Sequence, residues 1–271
     1  MHDHISTAAR AGRPWIKPMA RIGYAARGLV YLVIGWLTFL SGIGSGGETT
    51  DSEGAVQTLM ASGPGTVIAV ALIFGLLSYA IWRFLQAGLD PDDHGTSAKG
   101  VVVRLGLAAS GITYLGLTAY TFSIWRGSSS ESDNAGALAQ WVTGVIGSTA
   151  AAFALAAILA GVGGAHFFRA WKRSYERYLD LDQEAMTRVA PVAMAGLFAR
   201  GAIFFVLAIL LFYRGTIAGD GGRPGTEDAL NFINGLPFGN ILLVLTGIGL
   251  IAYAIYSFVQ SAWRKVDPLR N

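Results

Sequence analysis

Six long apolar segments constrain this chain more than any other feature of its sequence. They lie at approximately 22–42, 66–88, 104–125, 148–170, 195–214 and 240–262. Each is about 20 residues long, the length that an α-helix needs to cross a hydrocarbon core of roughly 30 Å. The stretch VIAVALIFGLL (67–77) does not alternate apolar and polar residues, as a strand of a transmembrane barrel would. The sequence therefore predicts an all-α integral membrane protein with six transmembrane helices.

The distribution of Lys and Arg predicts the orientation of these helices. Of the 20 basic residues, all but Arg126, Arg214 and Arg223 fall on the side where both termini lie. The positive-inside rule places that side in the cytoplasm. Topology thus accounts for the basic pI of about 9.2, so no nucleic-acid partner is required. The partners that we expect are membrane lipids, a membrane or cytoplasmic protein, and further copies of the chain in a homo-oligomer.

A short motif at the start of the first apolar segment returns twice. RIGYAARGLVYL (Arg21 to Leu32) is followed by RLGLAASGITYL (Arg104 to Leu115) and MAGLFARGAIFF (Met194 to Phe205). The copies divide the chain into an N-terminal segment and three two-span repeats, at 1–18, 19–90, 101–180 and 190–268. Each repeat crosses the membrane out and back, so successive copies have the same orientation. This pattern predicts three tandem helical hairpins in a parallel, pseudo-threefold arrangement.

The chain resembles a bacterial membrane-protein family of three two-helix repeats, domain of unknown function family 1206. The opening ARxGYxARGxVYxxxG of that family is matched by Ala20 to Gly35, and the resemblance covers nearly all of 19–268. The second copy departs from the pattern, since Ser110 stands where the others have Arg27 and Arg200. The resemblance implies six helices and the bacterial cytoplasmic (inner) membrane, and it brings no activity with it.

Five polar side chains at or near the first helix of each repeat are candidate contacts to lipid or substrate. These candidates are Arg27, Arg200, Ser110, Arg21 and Arg104. An Arg at the centre of a span costs about 2.5–3.5 kcal/mol on insertion scales. Arg27 and Arg200 lie about one turn inside the predicted boundary, so they could snorkel to lipid headgroups or contact a substrate. They could alternatively pair with carboxylates that follow the second helices and close each hairpin, for which the candidates are Asp90, Asp180 and Asp267.

Small residues are expected to let the helices approach closely. The candidate packing positions are Gly28, Gly111, Gly201, Ala156, Ala160 and Gly164. The ladder of small residues from Ala152 to Gly164 predicts that the fourth span is the most buried of the six. Short amphipathic segments around Val56, Leu138 and Leu230 lie outside the spans, either as interfacial helices or as a lid over a central cavity.

Groups that carry chemistry are scarce. His166 is the only histidine in a span, so haem ligation by two histidines is not expected, and no metal or other cofactor site is predicted. The spans contain no Asp or Glu in their interiors, and no phosphate-binding loop or nucleophile elbow occurs. The sequence therefore favours a non-enzymatic protein with a structural, lipid-binding or assembly role. The alternative is a channel or carrier for a small or amphipathic solute, with Arg27, Arg200 and Ser110 facing a central cavity.

Overall fold

The computed structural model describes residues 2–46, 48–127, 148–217 and 226–266. This part of the chain folds into eight α-helices and one short 3-10 helix, Glu176–Tyr178. The α-helices are α1 (His2–Gly42), α2 (Ser52–Ala61), α3 (Gly65–Leu89), α4 (Ala98–Trp125), α5 (Ser148–Trp171), α6 (Gln183–Ile217), α7 (Thr226–Asn234) and α8 (Gly239–Trp263).

Six of these helices, α1, α3, α4, α5, α6 and α8, are long and apolar enough to cross a membrane. The predicted all-α, six-span, multi-pass membrane protein is thereby confirmed. We call the end of the spans at which α3 and α8 terminate the basic end, because Arg83, Arg169 and Arg264 lie near it. The opposite end carries α2 and α7 and is called the acidic end.

The spans pack side by side in the order α4, α3, α1, α8, α6 and α5. The first and last spans, α1 and α8, therefore lie in the middle. Two helix crossings are especially close: a Cβ on Gly23 of α1 would lie 2.6 Å from the Cα of Tyr79, and one on Gly196 of α6 would lie 2.5 Å from the Cα of Tyr253. Glycine is required at both positions because a side chain would meet backbone atoms that cannot move aside.

The second predicted hairpin differs from the other two, because α4 and α5 do not pack along their lengths in the described residues. Gly106 aligns with Gly23 and Gly196 in the repeated motif, yet a Cβ there would meet no atom of the described residues within 4 Å. Helix α4 packs on α3 instead, and α5 packs on α6. The threefold arrangement of the repeats stays a prediction.

The expectation that the fourth span is the most buried is wrong. Only 11% of the most apolar stretch of α5 is buried, the smallest share among the six spans. The ladder does not face one neighbour, since Ala156 is buried while a Cβ on Gly164 would lie more than 4 Å from every neighbouring atom that the structure describes. Ala160 is half-buried between them. A stripe of small residues permits close approach, but a neighbour must be present on that side for the stripe to be buried.

Helices α2 and α7 cover the acidic end of the bundle. Their apolar residues Val56 and Leu230 are fully buried and belong to the main hydrophobic core. Thr49 before α2 donates a hydrogen bond to Asn231 of α7 over 2.6 Å, which ties the two segments together. The apolar faces of both helices thus pack on the spans. The third amphipathic segment, around Leu138, lies outside the described residues.

Candidate functional site

Arg27 of α1 is enclosed in the middle of the bundle. Its side chain is only 2% exposed, although it carries a full positive charge. Nη1 donates to the Tyr79 hydroxyl over 2.5 Å, and Nη2 donates to Gln260 Oε1 over 2.6 Å and to Ser257 Oγ over 2.9 Å. Nε also donates to Ser257 Oγ, over 3.2 Å. The guanidinium therefore joins α1 to α3 and α8 through neutral acceptors.

Aromatic rings complete the environment of Arg27. Its Cζ lies 4.9 Å from the ring centre of Tyr24 and 5.1 Å from those of Tyr79 and Tyr253. Ring faces attract a cation electrostatically, most strongly when water is excluded. The burial of Arg27 means that it does not snorkel to headgroups, and its hydrogen-bond partners are not carboxylates. Arg27 is best described as a structural connector of three helices.

The carboxylates that were candidates for pairing with the arginines have other roles. Asp90 ends α3 in a left-handed conformation (φ 51°) and accepts the backbone N–H groups of His94 and Gly95 over 2.9 and 2.7 Å. Partial burial raises the pKa of Asp90, but these two hydrogen bonds outweigh it and the net pKa is lowered. Asp180 is exposed, and its backbone N–H donates to the Trp263 carbonyl. Asp267 lies outside the described residues.

Arg200 of α6 occupies a similar aromatic setting but lacks acceptors. Its Cζ lies 4.6 Å from the ring centre of Tyr31, 4.8 Å from that of Tyr253 and 5.3 Å from that of Phe204. The Nε and Nη1 atoms are buried and have no hydrogen-bond partner. Tyr253 lies about 15 Å along α8 from its basic end at a rise of 1.5 Å per residue, which puts the guanidinium well inside the span. The residue as a whole is half-buried, and no described carboxylate pairs with it.

The neighbouring helix explains why the surroundings of the two arginines differ. Gly28 lies against the ring of Phe258, and Gly201 lies against Gly163 and Phe167. The residue before Phe258 is Ser257, an acceptor for Arg27, whereas the residue before Phe167 is His166.

Gln260, a second acceptor for Arg27, lies two residues after Phe258 in α8. Arg169 lies two residues after Phe167 in α5. At the α5–α6 contact His166 thus stands at the position of Ser257, and a cation stands at the position of Gln260.

His166 itself is oriented by the backbone of α5. Its Nδ1 lies 2.9 Å from the Val162 carbonyl oxygen, which can only accept, so Nδ1 donates its proton to that bond. The imidazole lies within electrostatic reach of Arg200 and Arg169. The described part of the chain contains no group of three or more His, Cys, Asp or Glu side chains that could hold a metal ion.

At the third contact of this kind the arginine is on the opposite helix. Gly111 of α4 lies against Phe84 of α3, and the residue before Phe84 is Arg83. Arg83 donates to the hydroxyl of Tyr79 and to Gln86 Oε1. The predicted contact residue Ser110 on α4 is half-buried.

The two remaining arginine candidates lie near the basic end. Arg104 donates from Nε to the Ala87 carbonyl over 2.7 Å and from Nη2 to the Gly88 carbonyl over 3.0 Å. It therefore caps the C-terminus of α3, where the helix dipole favours a cation. The backbone carbonyl of Arg21 accepts a hydrogen bond from the Ser261 hydroxyl, and its Nε is buried without a partner.

A buried ion pair at the basic end was missed by the sequence reasoning. Arg264, directly after α8, donates from Nη2 to both oxygens of Asp92 over 2.9 and 2.8 Å, and the side chains are 5% and 8% exposed. Gln86 also donates to Asp92 over 2.6 Å. Backbone hydrogen bonds from Asp180 to Trp263 and from Lys265 to Tyr178 run alongside. These contacts tie the end of α8 to both basic connections, and only the spatial proximity of distant segments could have revealed them.

His94 lies next to this ion pair. Its partial burial lowers its pKa; Asp92 and Asp90 raise it, and the positive charges of Arg169 and Arg177 lower it further. The net pKa is below the usual value for histidine. The basic end therefore holds His94 in its neutral form over a wider pH range than in an unfolded chain.

Comparison with known proteins places the chain in a family. The model described as Domain of Unknown Function (DUF1206) matches residues 22–90 and 195–264, which fall in the first and third predicted repeats. An uncharacterized protein of Bacillus subtilis (strain 168), YxxB, is 28% identical over 272 aligned positions, which cover 97% of this chain and 96% of the relative. No solved structure matches. The chain, with its six helices long and apolar enough to span a membrane, belongs to the family described as Domain of Unknown Function (DUF1206).

Proposed function

We propose that this protein is a non-enzymatic membrane protein that binds an anionic phospholipid at Arg200. The single observation that carries the proposal is that two guanidinium nitrogens of Arg200, Nε and Nη1, are buried and have no acceptor. An unmade hydrogen bond at a buried polar atom costs about 1–3 kcal/mol, and more for a charged group. A phosphate group would supply both the acceptors and the counter-charge.

The contrast with Arg27 supports this assignment. Arg27 has its own acceptors, Ser257, Gln260 and Tyr79, so it needs no ligand to satisfy its donors. Arg200 has ring faces only, and the spans contain no interior carboxylate that could neutralise it. Intramembrane charges without a protein partner are typical of ligand sites.

Two further features support binding rather than passage through the protein. Helices α2 and α7 pack over the acidic end, so the centre of the bundle is covered on that side by Val56, Leu230 and their neighbours. The guanidinium of Arg200 lies against Tyr253, which is fourteen residues from the acidic end of α8 and ten from its basic end. We propose that this end faces the cytoplasm of a bacterial cell and that the ligand belongs to the leaflet on that side, as the excess of Lys and Arg favours.

We further propose that the three repeats surround a common axis. The contacts of Gly28 with Phe258, Gly111 with Phe84 and Gly201 with Phe167 join the first helix of each repeat to the second helix of another, in cyclic order. On this arrangement the three contacts are equivalent positions, and only that of Arg200 lacks acceptors.

Native mass spectrometry of the purified protein tests the lipid proposal. The protein is reconstituted with phosphatidylglycerol or with phosphatidylcholine, extracted, and scored for retained lipid. We expect selective retention of phosphatidylglycerol, lost in Arg200→Gln. The matched control is Arg188→Gln, which removes the same charge from the same helix at a side chain that is 78% exposed. Equal retention of both lipids, or equal loss in both variants, would refute the proposal.

A further inference from the structure

Among the described residues the bundle is open on one flank, between α4 and α5. A Cβ placed on Gly106 of α4, or on Gly161 or Gly164 of α5, would meet no described atom within 4 Å. The corresponding crossings of α1 with α3 and of α6 with α8 are so close that Gly23 and Gly196 touch backbone. Near the basic end the two flanking helices approach each other, since Lys99 Nζ lies 5.8 Å from the ring centre of Phe168. The opening therefore begins inside the span.

The opening lies at the depth of Arg200. Gly106 follows the start of α4 at Ala98, and Gly164 precedes the end of α5 at Trp171, each by a distance of about 11 Å at a rise of 1.5 Å per residue. Gly163 is in contact with Gly201, which directly follows Arg200: a Cβ on Gly163 would lie 3.0 Å from the Gly201 carbonyl oxygen. The unpartnered guanidinium and the opening are thus at the same level of the bundle.

The side chains around this level suit an amphiphile with a negative headgroup. His166 of α5 lies within electrostatic reach of both Arg200 and Arg169, so the two cations lie on either side of it. The outer surfaces of α4 and α5 are apolar, with more than half of Leu105 and Ile158 exposed. A phosphate could therefore reach the cations while acyl chains stay among apolar side chains.

We propose that the opening between α4 and α5 is a lateral portal through which an anionic phospholipid of the surrounding bilayer brings its phosphate to Arg200 and Arg169. This inference rests on the proposed lipid-binding function and adds the route of entry and one further binding residue, Arg169. An anionic lipid is the occupant to which the site is complementary, because the cations are unpaired and the entrance faces hydrocarbon.

Closing the portal covalently tests the route without changing the cations. The natural sequence has no cysteine. Cysteines introduced as Gly106→Cys and Gly164→Cys therefore react alone with a bis-maleimide that bridges α4 and α5. The bridged protein, loaded with phosphatidylglycerol, is diluted into deuterated phosphatidylglycerol, and the mass shift of the complex reports exchange. The same double variant modified with N-ethylmaleimide is the control, because it carries two adducts and no bridge.

We expect the bridge to slow lipid exchange by about tenfold or more while the equilibrium occupancy is unchanged, because a blocked route lowers entry and release together. Unchanged exchange in the bridged protein, with phosphatidylglycerol still retained by the natural sequence, would overturn the portal and leave the proposed function standing. Failure of the natural sequence to retain anionic lipid would overturn both. If the double variant does not fold, Gly164→Trp fills the opening from one side: slowed exchange supports the portal and unaltered exchange overturns it.

Arg169 is tested separately from the route. Arg169→Gln is expected to weaken phosphatidylglycerol retention with thermal stability unchanged, whereas Arg173→Gln, which removes a charge from an exposed side chain beyond the end of α5, is the control. Equal retention in the two variants would remove Arg169 from the site.

Discussion

Replacing Gly196 by alanine tests the closest crossing between two spans. The new Cβ would lie 2.5 Å from the Cα and N atoms of Tyr253, where carbon atoms normally approach to about 3.5–4.0 Å. No change of side-chain rotamer relieves this contact, because the obstacle is the backbone of α8. Helix α6 must therefore move outward by about 1 Å. Overpacking costs about 1–3 kcal/mol, and we take the upper end because the obstacle is backbone. The higher helix propensity of alanine offsets about 1 kcal/mol of this cost, so the free energy of unfolding should fall by about 2 kcal/mol.

Gly106→Ala is the matched control, because Gly106 aligns with Gly196 but has open space around its Cα. This change should keep only the propensity gain and stabilise the protein by up to about 1 kcal/mol. The two variants are compared by reversible unfolding in mixed detergent micelles, where a difference near 3 kcal/mol is expected. If Gly106→Ala destabilises the protein as much as Gly196→Ala, then α4 and α5 pack as closely as the helices of the other hairpins and the open flank is refuted. If Gly196→Ala does not destabilise the protein, the crossing argument is refuted.

Three further predictions concern the buried polar groups. Without added lipid, Arg27→Gln should lower the thermal unfolding temperature sharply, because it removes several buried hydrogen bonds. Arg200→Gln should not lower it, because Arg200 Nε and Nη1 make no hydrogen bonds. Equal effects of the two variants would contradict this distinction. Asp92→Asn should cost about 3–5 kcal/mol by leaving a buried arginine unpaired and should speed tryptic cleavage after Lys265, while Asp93→Asn, at the exposed neighbour, should do neither. Because the folded pKa of His94 lies below the unfolded value of about 6.5, its contribution to stability is complete above that value and falls as the pH drops towards the folded pKa. The stability loss between about pH 8 and pH 5 should therefore be smaller in His94→Asn, and an identical pH profile would refute this.

Arg27 and Arg200 show how far a sequence motif can be interpreted. The repeated motif identified both as exceptional, because a cation in a span is costly and rare. Snorkelling was the natural expectation for Arg27 one turn inside the boundary, but the structure turns it inwards to Tyr79 and Gln260. The acceptors belong to helices far along the chain, and no local pattern specifies that they meet.

The glycines show the same division between local and tertiary information. Gly28, Gly111 and Gly201 were named as packing positions, and each lies against a phenylalanine or backbone of another helix. Gly164 was named by the same criterion, yet it faces open space. Small residues allow close approach, but whether a neighbour occupies the space depends on where the other spans pack.

The sequence alone determined the number of spans, their helical nature and the segregation of basic residues to one end, because hydrocarbon forces each segment to satisfy its own backbone hydrogen bonds. Only the tertiary structure decided that α1 and α8 are central, that α4 and α5 stand apart, and that Arg27 has acceptors while Arg200 has none. Lipid solvates apolar side chains of every span equally well, so hydrophobicity does not select neighbours. That choice depends on shape and on a few polar contacts between residues that are remote in sequence.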